Sequence, residues 1–147
     1  MKVTRAEIFD IHCPDREPWH PVLLRLHTDE GLTGVGEAAM AYGIGHSGAA
    51  HMTKNLVEAF TLGADPFATE QLWERMYRSS FWGLGGGPVV FGAMSAIDMA
   101  LWDIKGKALG QPVYQLLGGK TNARLRSYAS QLQFGWGTQK VFSLTDP

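Results

Sequence analysis

The sequence holds one cysteine, Cys13, in 147 residues. No disulfide can close within the chain, and a reducing, cytoplasmic setting is expected. No run of about 18 uncharged apolar residues is present, the length a membrane-spanning helix needs. A secretory leader is not expected either, because Arg5, Glu7 and Asp10 interrupt any apolar stretch in MKVTRAEIFDIH. No block of one charge sign occurs and the formal net charge is −1. That leaves no electrostatic reason to expect a nucleic acid or an anionic membrane as partner. Among the five histidines, His12, His20, His27, His46 and His51, no pair brackets a glutamate at i, i+4, as a helical zinc site would. His46 and His51 stand five apart, a poor fit to one helix face, and His27 reads as an ordinary strand residue. The run GLGGG at Gly83–Gly87 lacks the Gly-Lys-Ser/Thr ending of a phosphate loop. It also follows a helical pattern rather than a strand, so it reads as a connector. Internal repeats and low-complexity segments are absent.

What is there is the composition of a globular domain: 45% hydrophobic and 18% charged residues, enough chain for one core. Lys2–His12 reads as a strand with imperfect alternation, so an irregular edge is expected. Cys13–Pro21 carries three prolines and reads as a loop. Val22–Thr28 is a cleaner strand, with Val22, Leu24 and Leu26 on one face and Leu23, Arg25 and His27 on the other. Asp29-Glu30-Gly31 is a turn, and Leu32–Ala38 a third strand thinned by Gly34 and Gly36. Three sequential strands with short connections suggest an antiparallel meander. A second loop follows at Tyr42–Gly48. A helix is expected from about Ala49 to Phe60, facing inward through Met52, Leu56, Ala59 and Phe60. Asp65-Pro66 then carries the start signal of another helix, with aspartate as N-cap and proline at the first helical position. This helix runs to about Ser79, with Phe67, Leu72, Met76 and Tyr77 as inward candidates.

The most informative stretch is Ala93–Gly118. Met94, Ile97, Leu101, Ile104 and Ala108 recur in steps of three and four, one stripe of an α-helix. Ala93, Ala96 and Ala100 flank the stripe, so another element can approach closely. Asp98 and Asp103 are five apart, about 140° around the helix, and do not converge on one ion. A structural role is expected for them, as helix-to-sheet hydrogen bonds or pairs with Lys105 and Lys107. Gly110-Gln111-Pro112 ends the helix and opens a second, short one through Val113, Leu116 and Leu117. Beyond Gly118, Leu125–Leu132 is a plausible strand, Phe134–Gly137 a loop and Val141–Leu144 a short extended piece. The chain stops at Asp146-Pro147, which looks like an opened helix rather than a finished end.

Residues Ala93, Ser95-Ala96-Ile97-Asp98, Ala100-Leu101, Asp103-Ile104, Gly106-Lys107, Pro112-Val113 and Leu116-Leu117-Gly118 resemble an N-terminal signature. It belongs to the mandelate racemase and muconate-lactonizing branch of the enolase superfamily. The resemblance runs from the first strand to about Gln133. It implies an α+β fold: a three-stranded antiparallel meander followed by a helical layer, with the first strand of a truncated (β/α) barrel. Residues 1–118 would be the N-terminal capping domain and 119–147 the incomplete start of the barrel. A whole barrel takes about 250 residues.

By the same resemblance, the complete protein abstracts the proton α to a carboxylate. Mg²⁺ and nearby groups stabilise the enediolate, and the metal ligands and base are expected beyond Pro147. No catalytic or metal residue is therefore assigned in this chain, which alone should be inactive. LWERMYRSSFWGLGGGP at Leu72–Pro88 looks like the acid-sugar dehydratases, hydro-lyases of carbohydrate acid catabolism. A racemase or cycloisomerase of the same superfamily is the alternative enzyme, and a detached capping or oligomerisation domain the non-catalytic one. A small carboxylic acid is the implied ligand and a homo-oligomer the expected assembly. In the family, two capping-domain loops close over the barrel mouth. Here these carry Trp19, His20, Tyr42 and His46, an aromatic wall with imidazole donors suited to a polar substrate.

Overall fold

The computed structural model of the chain describes residues 1–12, 20–38, 40, 44–79, 81 and 84–128. Strands β1 (Val3–Asp10), β2 (Val22–Thr28) and β3 (Thr33–Ala38) form an antiparallel sheet in the order β1-β2-β3. The expected irregularity is a register shift between Val3 and Arg5. On β2 the alternation holds: Val22, Leu24, Leu26 and Thr28 are buried, while Leu23 and Arg25 between them are exposed. Thr28 organises the β2–β3 turn. Its hydroxyl bonds the Leu32 carbonyl and accepts the Leu32 N–H, both at 3.0 Å.

Helix α3 (Pro88–Leu109) lies across the sheet. Met94, Ile97, Leu101 and Ile104 are fully buried, as the spacing predicted. Ala108 is exposed instead, because the helix has run past the packed layer by then. Gly110 ends it in the left-handed conformation (φ 61°), and the Gln111 N–H returns to the Gly106 carbonyl at 2.9 Å. The helix backbone sits directly on β3. A Cβ at Gly34 or Gly36 would come 2.0 Å from the carbonyl oxygen of Ala100 or Ala96 respectively. Four helical residues advance about 6 Å and two strand residues about 6.6 Å, so the two spacings match. Contact order runs opposite along the two elements, and α3 is therefore antiparallel to β3.

The polar side of α3 closes the open edge of β3. Asp103 Oδ2 accepts the Val35 N–H at 3.0 Å, and Lys107 Nζ donates to the Thr33 carbonyl at 2.8 Å and to Asp103 at 2.7 Å. An uncovered edge would offer those groups to another chain. Asp103 thus has its structural role, with Lys107 as its partner. Lys105 instead lies 4.6 Å above the Trp102 ring.

Several expected boundaries move. Helix α1 is His46–Leu56, three residues earlier than Ala49, and it continues as a π-helical turn over Val57–Thr61. The wider turn brings Val57 and Thr61 inward and leaves Ala59 exposed, so the predicted face fails at that residue. Asp65 caps a separate turn: its carboxylate accepts the Phe67 N–H at 2.9 Å. Helix α2 begins only at Thr69 and ends at Ser79, with Leu72 and Met76 buried and Tyr77 half-buried. Pro112 is the extended N-cap of α4 (Val113–Leu116), not its first helical residue. Val113, beside Gly106 of α3, and Leu116 are half-buried, and Leu117 is exposed, so that short face is only partly covered by the described elements. Residues 125–128 are exposed and belong to no strand. The rest of the expected Leu125–Leu132 strand, and the pieces expected at Phe134–Gly137 and Val141–Leu144, lie outside the described residues. Among the described residues no helix is long and apolar enough to cross a membrane.

Candidate functional site

The β1–β2 ladder closes with the Ile11 N–H on the Pro21 carbonyl at 2.9 Å. His12 and His20 flank this closure at the base of the first loop. Residues alternate across a strand, so Ala6, Ile8, Asp10 and His12 continue one row of β1, and His20 continues the row of Val22 and Leu24. That row faces the helical layer. There α1 begins with His46, which had been expected within the second loop.

The result is a cluster of three imidazoles and a carboxylate. His20 is only 6% exposed. It stacks against His12 with ring centroids 4.8 Å apart and against His46 at 4.3 Å. The Nδ1 atoms of His12 and His20 meet at 3.2 Å, and His46 Nδ1 donates to Asp10 Oδ1 at 2.8 Å. Two of the four residues expected to contact substrate, His20 and His46, are thus in direct contact. Trp19 and Tyr42 lie outside the described residues. Asp10 and His12 are not among the expected site residues, because the histidines are weighed there at helical spacing; the two-residue period of the expected Lys2–His12 strand sets both on the row of Ala6 and Ile8.

The stacking limits what the cluster can do. Near-parallel rings, at 12° and 24°, direct their nitrogens along the ring edges rather than towards a common point. Among the described residues no group of three or more His, Cys, Asp or Glu side chains could hold a metal ion. The arrangement fits Mg²⁺ poorly on chemical grounds as well, since that ion takes oxygen ligands. Hydrogen bonding and ring contact remain.

Two perturbed carboxyl groups lie elsewhere. On the outer sheet face Glu7 meets His27 at 2.7 Å and Arg5 at 2.6 Å, and the hydrogen bonds from His27 and then Arg5 hold its carboxyl below the usual range. Asp98, on α3, is pushed up by burial and by the nearby Glu70 charge, against a hydrogen bond from Trp102. A depression of about 530 Å³ on the outer face is lined by Phe9, Leu23, Arg25, Val35 and Glu37 and contains no histidine. Gly86 and Gly87, both at positive φ, lead directly into α3, as a connector does.

The sequence profile of the mandelate racemase / muconate lactonizing enzyme N-terminal domain matches residues 10–118. The chain belongs to that branch of the enolase superfamily. Within it, the chain is 43% identical over 128 residues to a D-galactonate dehydratase family member of Pseudarthrobacter chlorophenolicus, covering 87% of this chain and 29% of the relative. It is 41% identical over 128 residues to a D-mannonate dehydratase of Rhizorhabdus wittichii, covering 87% and 30%. A crystal structure of a candidate dehydratase from Zymomonas mobilis superimposes with a TM-score of 0.87 at 54% identity, over 92% of this chain and 34% of that one. The chain therefore spans about a third of the length of these relatives. The profile match at residues 10–118 takes in β2, β3 and the helical layer.

Proposed function

We propose that this chain is the capping portion of an acid-sugar dehydratase. Residues 1–118 would form the capping domain and 119–147 would open the (β/α) barrel. The observation that carries the proposal is the identity of 41–43% to proteins named for D-galactonate and D-mannonate dehydration, across nearly nine-tenths of the chain. Those two names differ in the sugar, so the substrate is proposed as a class: a polyhydroxylated carboxylic acid that loses water.

Mg²⁺, used throughout the superfamily, would neutralise charge at the substrate carboxylate. The described residues do not fit it, and no step is assigned to them through it. What this chain contributes is proposed to be orientation and water exclusion. Trp19 and Tyr42 would wall the substrate's distal end, and His20 and His46 would supply or position hydrogen-bonding groups there. Binding energy from a distal group can orient the reacting centre and raise turnover, although it cannot replace a base.

The test uses the longer protein that carries this chain, with Mg²⁺ and a panel of sugar acids, reading formation of the dehydrated keto acid. Dehydration of at least one member is expected. Inversion of the α-carbon without loss of water would establish the racemase alternative instead. His46→Ala should cost roughly 5- to 150-fold in kcat/KM, selectively on substrates bearing the distal hydroxyl, as one lost hydrogen bond in a closed site does. Equal losses on every substrate would show a packing defect, and no loss on any would remove His46 from the site.

A further inference from the structure

We infer that Asp10 and His12 are positioning residues that join the bases of the two loops, at His20 and His46, into one unit with a fixed arrangement of imidazole protons. The consequence for substrate choice rests on the function proposed above; the linkage itself does not.

The argument is one of proton inventory. A carboxylate only accepts, so the 2.8 Å contact with Asp10 places a proton on His46 Nδ1. The two Nδ1 atoms at 3.2 Å can share one proton and no more. One of His12 and His20 therefore donates, and the other is neutral with its proton on Nε2. His20 stacks on both other rings, so its position depends on His12 and on His46 together. His46 in turn depends on Asp10. His20, ahead of β2, and His46, at the start of α1, are then not independent. Asp10, at the end of β1, is the fixed point because the ladder holds it opposite Val22.

The test is histidine ¹⁵N NMR on the 147-residue chain, which reads the tautomer of each ring. His46 should carry its proton on Nδ1, and one of His12 and His20 should show a bare Nδ1. Asp10→Ala should shift the ring signals of His46, His20 and His12 together. Asp10→Asn should retain them, because the amide oxygen still accepts. His27, paired with Glu7 on the outer face, serves as the fold control. If Asp10→Ala moves His27 as well, His12→Ala decides, since the His12 ring is exposed: His20 and His46 must shift while His27 stays. Unchanged His20 and His12 signals in Asp10→Ala with His27 intact, or fast-exchanging tautomer mixtures at all three rings, would overturn the linkage. In the longer enzyme, Asp10→Ala should change the kcat/KM ratio between two sugar acids differing at the distal hydroxyl by roughly fivefold or more, with Asp10→Asn restoring it. A linkage seen by NMR with an unchanged ratio would overturn the specificity consequence and count against substrate contact by the loops, leaving the linkage standing.

Discussion

Gly36→Ala tests the contact that sets the spacing between helix and sheet. The added Cβ would stand 2.0 Å from the Ala96 carbonyl oxygen and 2.8 Å from its carbonyl carbon. A comfortable carbon–oxygen separation is about 3.3 Å, so the helix must lift by roughly 1 Å. The obstructing atoms are backbone, and no rotamer change can relieve them. Lifting α3 also thins its contacts with β2 and β3, where a gap of that size forfeits a quarter to a half of the dispersion well. Overpacking costs about 1–3 kcal/mol in general, and the rigid obstacle places this case at the upper end. Reduced freedom of the unfolded chain returns about 0.4–1 kcal/mol. The net expectation is a loss of about 2 kcal/mol or more, measured by urea unfolding followed by circular dichroism. Gly48→Ala is the control. It lies in α1, and the nearest atom to its added Cβ is 3.9 Å away. It should be neutral or stabilising by up to about 1 kcal/mol. A Gly36→Ala protein within about 0.5 kcal/mol of the parent, or a Gly48→Ala protein that loses as much, would refute the close approach.

Leu101→Ala, in a side chain with no solvent exposure, should cost about 2–5 kcal/mol in the same assay, the range for a buried leucine; a loss under 1 kcal/mol would place that face in solvent. Asp103→Ala should cost only about 0.5–1.5 kcal/mol, because its hydrogen bonds are partly exposed, yet it frees the β3 edge, so light scattering should show more concentration-dependent association than in the parent. Asp98 binds its proton more tightly folded than unfolded, so stability should fall as pH rises from its unfolded value through its folded one; Asp98→Asn should therefore raise the melting temperature at pH 7, and the gain should shrink towards pH 4, whereas a gain independent of pH would assign the effect to something other than ionisation.

The frame was legible because its signals are local. Alternation along Val22–Thr28 reports the pleat, and the three-four spacing from Met94 to Ile104 reports the buried helix stripe. The close approach had a signal on each partner, glycines at 34 and 36 and alanines at 96 and 100, although their pairing needs the third dimension. The start of α1 carried no such sign. Gly45 precedes it at φ 127° with no side-chain cap, so none of the usual Ser, Thr, Asp or Asn signals marked His46 as helical. The π turn left none either, and it rotated Ala59 outward. At Asp65 the capping signal was real but belonged to an isolated turn. The histidine cluster joins residues 8 to 36 positions apart, His12 to His20 and Asp10 to His46. No period within one element contains both partners of the second pair.

The place where the cluster forms follows from the same rows that build the core. Along β1 the helix-facing positions run Ala6, Ile8, Asp10, His12; along β2, read towards its start, they run Leu26, Leu24, Val22, His20. Each row changes from apolar to polar near the Ile11–Pro21 closure, where the ladder ends. An apolar side chain placed there would gain little burial from a sheet that no longer continues. A polar one at the buried position of His20 would lose its hydration without a partner. Stacked imidazoles meet both demands, since ring faces pack on one another while ring edges bond Asp10 and each other. The arrangement leaves Asp103 and Lys107 to hold α3 against the opposite end of β3, at Val35 and Thr33, three and five strand residues from the level of Asp10, or roughly 10 and 17 Å along the sheet. Edge closure by Asp103 and Lys107 and the histidine cluster at Asp10 are thus separate features of one scaffold, and Asp10 or His12 can be altered without opening the helix–sheet contact at Gly34 and Gly36.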